Sequence, residues 1–166
     1  LFAERTRQAK FETGDLPSYD QGPPSVRGVL NGTPFDELTD ADPRVGARLE
    51  IHAGGQYTWI PFQHLAKVRM EPPKRLRDLI WAPANVTTGV DVRDVDLGEV
   101  ILPALAPLTW QHADDAVRLG RKTEWVDLDD ELAAPVGQKL LVVDGELFPI
   151  LEVRELEILG PSESDS

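Results

Sequence analysis

Residues 28–70 read GVLNGTPFDELTDADPRVGARLEIHAGGQYTWIPFQHLAKVRM, and the succession of turns and strands in this stretch decides the fold. From Arg48 to Ala53, charged or polar Arg48, Glu50 and His52 alternate with apolar Leu49, Ile51 and Ala53, the period of two of a half-buried strand. Gly54-Gly55 follows as a two-residue hairpin turn, because glycine takes up positive φ without a Cβ clash. Residues 56–60 then supply a β-favouring return strand, which Pro61 ends. With a two-residue loop, Thr58 and Ile60 share the face of Ile51 and Leu49, while Tyr57 and Trp59 lie beside His52 and Glu50. Both faces are then partly covered. Upstream, Asn31-Gly32 makes a second tight turn. Asp40, Asp42 and Arg44 fall where the chain reverses, and the two carboxylates suit structural caps because Asp oxygens accept nearby backbone N–H groups.

Outward from this stretch the elements stay short. Leu65–Met70 is expected to be a third strand, stopped by Glu71-Pro72-Pro73. Residues 74–81, KRLRDLIW, set Leu76, Leu79 and Ile80 at helical spacing and predict about two turns before Pro83. Residues 98–105 contain Val100, Ile101 and Leu102, a buried strand that Pro103 is expected to place on a sheet edge. Residues 114–120 are helix-prone, with Asp114 and Asp115 at the positive end of the helix dipole. Asp144-Gly145 divides residues 140–143 from 146–151 as a second hairpin with an apolar, central character. Beyond it, Leu151 and Val153 are out of phase with Leu156 and Ile158, which implies a bulge or a change of buried face. The expected core contains Leu49, Ile51, Ile60, Leu79, Leu140, Val142 and Leu151, so Leu140→Ala is expected to lower the melting temperature.

The fold class these signals predict is α+β: a strand-rich single domain over residues 28–160, with antiparallel hairpins and a few short helices. Residues 1–14 are expected to carry a short helix, the remnant of a helical N-terminal half. Residues 15–27 read as a linker, and residues 161–166 as a disordered polar tail.

Composition narrows the functions. Seventeen basic against twenty-nine acidic side chains give a net charge of -12, which opposes binding to nucleic acid or anionic membranes. No apolar run reaches the roughly 20 residues of a membrane span, so a soluble chain is expected. The absence of cysteine excludes disulfide and thiolate chemistry.

No catalytic or cofactor motif stands out. His52, His64 and His112 lack metal-ligand spacing, and Asp127, Asp129 and Asp130 lack the glycine and distal glutamate of a calcium loop. Neither a metal nor a cofactor is expected. No serine sits in a G-x-S-x-G setting. Tryptophan and arginine are favoured at protein interfaces, so Tyr57, Trp59, Arg77, Trp81, Arg121 and Trp125 are candidates for partner binding.

Five pieces in order, GVLNGTPFDELTDADPRVGARLE, the hairpin ending YTWIPF, LRDLIWAPA, RKTEW and FPILEVRELEI, resemble the ImpE family, also called TagJ or SciE-type. The chain departs from that pattern at Leu38, where an aromatic residue is usual, and around residues 103–114. The resemblance implies a cytoplasmic, non-catalytic accessory protein of a bacterial type VI secretion system. It further implies, as partners, the small subunit of the contractile sheath and the AAA+ ATPase that recycles it, and a tetratricopeptide-like helical half ahead of this domain. The alternative is a small-ligand or hydrolytic domain built on Asp40, Asp42 and Arg44. Bonding of those side chains to local backbone favours the first reading, and a cleft there the second.

Overall fold

The computed structural model describes residues 23–89, 92 and 96–162. The expected N-terminal helix, most of the linker and the end of the tail lie outside these residues. Among the described residues the chain forms β1 (Val26–Leu30), β2 (Thr33–Phe35), β3 (Leu38–Asp40), β4 (Arg48–Ala53), β5 (Gln56–Pro61), β6 (Leu65–Met70), β7 (Trp81–Thr88) and β8 (Asp96–Pro103). A short helix, α1 (Asp115–Arg118), separates these from β9 (Glu124–Asp127), β10 (Ala133–Val136), β11 (Leu140–Val143), β12 (Glu146–Pro149) and β13 (Glu155–Pro161).

The expected α+β class is corrected by these elements. Strands take 52% of the described residues and helical turns 13%, so the fold is a mostly antiparallel β fold. The helices expected near Leu76 and Ala116 are single turns. Leu76–Leu79 is one 3-10 turn, because the chain re-enters the sheet at Trp81 before a second turn can form. Leu76 is consequently 84% exposed and Leu79 is outside the core, despite their helical spacing. Asp114 caps α1 by accepting a hydrogen bond from the Ala116 N–H at 2.8 Å.

Eight strands form one sheet in the order β2-β1-β13-β6-β7-β8-β4-β5. A second sheet has the order β12-β11-β3, and β9 pairs with β10 as a separate ribbon. Three two-residue turns set the register of their hairpins. Asn31-Gly32, Gly54-Gly55 and Asp144-Gly145 each hold positive φ at both positions, from 48° to 84°, the geometry that matches the right-handed twist of the flanking strands. In the second of these hairpins Leu49 pairs with Ile60, Glu50 with Trp59, Ile51 with Thr58 and His52 with Tyr57, as the alternation predicts.

The prolines are accommodated differently from expectation. β8 is an interior strand between β7 and β4, not an edge. Its ladder pairing with β4 is confined to His52 opposite Ile101, so Pro103 lies past the end of that ladder, where no N–H is required. Pro83 likewise sits inside β7, but β6 ends its pairing at Met70 opposite Ala84. The missing donor at Pro83 therefore breaks no bond to β6.

One apolar cluster joins the two larger sheets. It contains Leu49, Ile51, Phe62, Leu65, Val68, Leu102, Leu141, Ile150 and Leu156, all nearly or fully buried. The expected core residues Leu140 and Val142 are only partly buried, whereas Leu141 is buried. The phase of β11 is thus one residue away from expectation. Its cause lies at Lys139, a charged residue on the inward phase. Leu151 is also partly buried, because a 3-10 turn at Ile150–Glu152 shifts the phase and turns Ile150 and Val153 inward. The passage from that turn into β13 absorbs the extra residue that the sequence shows between Val153 and Leu156, and a separate register shift opposite Arg27/Gly28 falls beyond it, at Leu159. We expect Leu141→Ala to lose roughly 2 to 5 kcal/mol of stability and Leu140→Ala distinctly less, read from urea unfolding midpoints. Equal losses would place both side chains in the core.

Candidate functional site

The site is built where β4, β5, the start of β7 and the segment after β8 meet. The β4–β5 hairpin puts Glu50 and His52 beside Trp59 and Tyr57 on the face away from Leu49 and Ile51. β7 begins at Trp81, paired with Pro103 at the end of β8. Residues 104–106 then run antiparallel to residues 137–139. Lys139 N–H donates to Ala104 O at 2.8 Å, Ala106 N–H donates to Gly137 O at 2.9 Å, and Leu105 bridges to Gln138. This short ladder fixes both Lys139 and the loop that ends in Trp110.

Between these elements lies a largely apolar groove of about 430 Å³, lined by Tyr57, Trp59, Trp81, Leu108 and Trp110, with Glu50 and His52 at its floor. Three of the rings are open to solvent, Tyr57 at 50%, Trp81 at 45% and Trp110 at 50%. The His52 ring sits between two of them, 5.0 Å from Tyr57 and 5.1 Å from Trp81, the latter edge to face. Leu108 holds φ of 65° in the left-handed region, an uncommon conformation for a residue with a branched side chain.

Beneath the groove is a buried charged trio. Lys139 Nζ donates to Asp40 Oδ2 at 2.7 Å and to Glu50 Oε2. All three residues are buried, Lys139 at 2% exposure. Glu50 Oε1 accepts from the Tyr57 hydroxyl, and the Trp59 Nε1–H donates to the Tyr57 oxygen at 2.6 Å. A continuous chain of hydrogen bonds therefore runs from Asp40 to the groove wall. Burial pushes the Asp40 carboxyl up to about 6, against the pull of Lys139. Burial works against the Lys139 charge as well, but the Asp40 and Glu50 carboxylates outweigh it and hold its pKa above the usual lysine range. Burial, followed by the Glu50 charge, raises Tyr57.

The sign of the resulting pH effect follows from Asp40. Its folded-state pKa is above the ordinary carboxylate value, so its contribution to stability is complete below about pH 4 and is lost as pH rises through 6. Urea unfolding of the wild type and Asp40→Asn between pH 4 and 7.5 isolates this group. The wild type is expected to lose stability with rising pH relative to the variant, and parallel profiles would contradict the assignment.

The other candidate residues separate. Asp42, fully buried, accepts from the Arg44 backbone N–H at 2.9 Å and pairs with the Arg44 guanidinium at 2.6 Å. Asp40 Oδ1 accepts from the Asp42 N–H at 2.8 Å, but its other oxygen belongs to Lys139 rather than to backbone. The Asp40–Asp42–Arg44 cluster is thus bonded to its own turn and to the trio. Arg77 lines a different cleft, of about 440 Å³, together with Arg69, Lys74 and Arg75. Trp125 lies on the β9–β10 ribbon opposite Pro135, and Arg121 in the turn before it. Asp129, in the acidic run, accepts from the backbone N–H groups of Glu131 and Leu132 as a turn cap. Only Tyr57, Trp59 and Trp81 of the expected binding residues come together.

With this geometry in place, comparison with known proteins is informative. The family described as ImpE protein matches residues 32–157. The chain belongs to the ImpE family. A relative from Pseudomonas aeruginosa, named type VI secretion system accessory component TagJ, is 42% identical over 134 residues, which is 81% of this chain and 45% of the relative. The crystal structure of protein VPA1032 from Vibrio parahaemolyticus superposes with a TM-score of 0.71 at 23% identity, covering 81% of this chain and 49% of that one, and shows a shared fold. The chain thus spans about half the length of each of these two proteins. No helix among the described residues is long and apolar enough to cross a membrane.

Sequence reading missed Lys139, Glu50 and Trp110 as parts of the site. The available signal was a lone lysine opening the apolar run KLLVV, with acidic Asp40 and Glu50 on strands that otherwise carry core residues.

Proposed function

We propose that this chain is a non-catalytic accessory module of a bacterial type VI secretion system, and that it works by docking a protein partner in the Tyr57–Trp81–Trp110 groove. The observation that carries the reading is the groove itself. Three large aromatic side chains stand half exposed around an apolar cleft, and one of them, Tyr57, donates its hydroxyl to the buried Glu50 carboxylate. Such exposure is costly in a free domain and characteristic of a recognition surface, where aromatic anchors supply most of the binding energy. The strained Leu108 in the groove wall fits the same role. Family membership and the name of the Pseudomonas aeruginosa relative supply the secretion context.

The partner in this reading is the small subunit of the contractile sheath, with the AAA+ ATPase of sheath recycling as the second. A sheath segment that forms an amphipathic helix suits a groove of this kind, since its apolar positions recur along one face. The hydrolytic alternative lacks support, because Asp40, Asp42 and Arg44 are engaged by Lys139, by local backbone and by each other.

Isothermal titration of the full chain with a peptide from the sheath small subunit tests the proposal. Trp81→Ala is expected to weaken binding at least tenfold, about 1.4 kcal/mol, with an unchanged melting curve because the ring is half exposed. Tight binding that Trp81→Ala leaves unaltered would put the partner on another surface.

A further inference from the structure

The groove has a chemistry more specific than apolarity. Its walls are aromatic faces, which carry a negative quadrupole. Its floor contains a carboxylate belonging to the buried trio, in which Asp40 and Glu50 face a single ammonium, leaving one negative charge in excess. The chain as a whole carries -12 and draws cations towards it. The same wall already holds one guanidinium, since the Arg48 carbon lies 6.0 Å from the centroid of the Trp59 ring. An acidic ligand group would be repelled by the floor, and a neutral donor would gain less from it than a cation.

We propose that this groove takes an arginine side chain, carried on an apolar segment of the protein partner, with its guanidinium stacked among Tyr57, Trp81 and Trp110 above Glu50. The inference rests on the docking role assigned to the groove above and names the chemistry recognised there. Arginine fits better than lysine because its planar, weakly hydrated cation stacks on ring faces, whereas an ammonium keeps its water. Each Glu50 oxygen accepts one bond within the chain and retains the capacity to accept another. The apolar residues flanking the arginine would lie against Leu108 and the exposed ring edges.

The test uses two small probes, the N-acetyl N-methylamides of arginine and of its neutral isostere citrulline, titrated into the full chain at pH 7.5. Indole N–H resonances of the four tryptophans are read by NMR. The arginine probe is expected to shift Trp81 and Trp110, with at least a fivefold lower Kd than citrulline and a response that weakens with added salt. Trp81→Leu, at a half-exposed ring, is expected to abolish the Trp110 shift in a folded protein. Glu50→Gln, if folded by its melting curve, is expected to shrink the ratio between the probes.

Equal responses to both probes, no response to either, or shifts confined to Trp125 would each overturn the arginine assignment. None of these results decides the docking role, which stands or falls with the sheath-peptide titration. A groove that binds the sheath peptide yet ignores arginine separates the two.

Discussion

Lys139→Met is expected to destabilise the chain by about 3 to 5 kcal/mol at neutral pH, the usual cost of removing one member of a buried ion pair. The lysine stem packs in the inward phase of the strand, so methionine roughly fills the volume and the loss is electrostatic. What remains is Asp40 beside Glu50, two buried carboxylates without their cation. Without the pull of the lysine, the Asp40 carboxyl is pushed up further still by its burial. The deficit is therefore complete at high pH and shrinks as pH falls towards about 4 and below, where Asp40 is protonated in the folded chain and increasingly so in the unfolded one. Adding Glu50→Gln to the variant is expected to return part of the loss, since only one carboxylate is then stranded. Urea unfolding between pH 4.5 and 8 reads all three outcomes. A deficit below about 1 kcal/mol at pH 7.5, the range of exposed pairs, would mean the trio is solvated.

Gly137→Ala should be nearly as damaging, by roughly 2 to 6 kcal/mol, combining left-handed backbone strain with overpacking. Gly137 has φ of 110°, and an added Cβ would stand 2.0 Å from the carbonyl oxygen of Lys122. The obstacle is backbone, so no side-chain rotation relieves it. The residue also anchors the groove loop. Its N–H donates to Thr109 Oγ1 at 2.8 Å, and its carbonyl accepts from Ala106 N–H. Displacing it should move Trp110 as well as lower stability, so Gly137→Ala is expected to shift the Trp110 indole resonance even under conditions where the variant stays folded. Wild-type stability with an unmoved Trp110 signal would show that the Lys122–Gly137 approach relaxes freely.

The parts of this fold that the sequence announces are those decided by local chemistry. Asn31-Gly32, Gly54-Gly55 and Asp144-Gly145 are readable because only residues tolerant of positive φ make two-residue reversals, and each then dictates the register of its hairpin. The order of strands in the sheet is a matter of distant pairing, and nothing near β13 or β1 states that they lie side by side. Pro103 misled for the same reason, and Pro83 is accommodated in the same way. A proline forbids a bond only where a neighbour would need it, and the neighbours β6 and β4 stop short. The site was half legible. Tyr57 and Trp59 follow from the alternation of one hairpin, whereas Lys139 stands 89 residues from Glu50 and 99 from Asp40. A charge that looks outward in its own segment turns inward only because two carboxylates await it. That inversion moved the phase of β11 by one residue and exchanged Leu140 for Leu141 in the core.

The pairing of β1 with β13 bears on how the domain would answer a pulling force. Val26, at the start of the first strand, lies opposite Pro161, at the end of the last. Tension applied through the flanking chain would enter at one end of a single antiparallel ladder, along the direction of its hydrogen bonds. Those bonds are then loaded one after another, as in a zipper, instead of together as in a sheared sheet. Under such a pull the domain would peel from this seam, β1 leaving β13 first, while the Lys139 trio and the groove, seated on other strands, lie outside the loaded ladder.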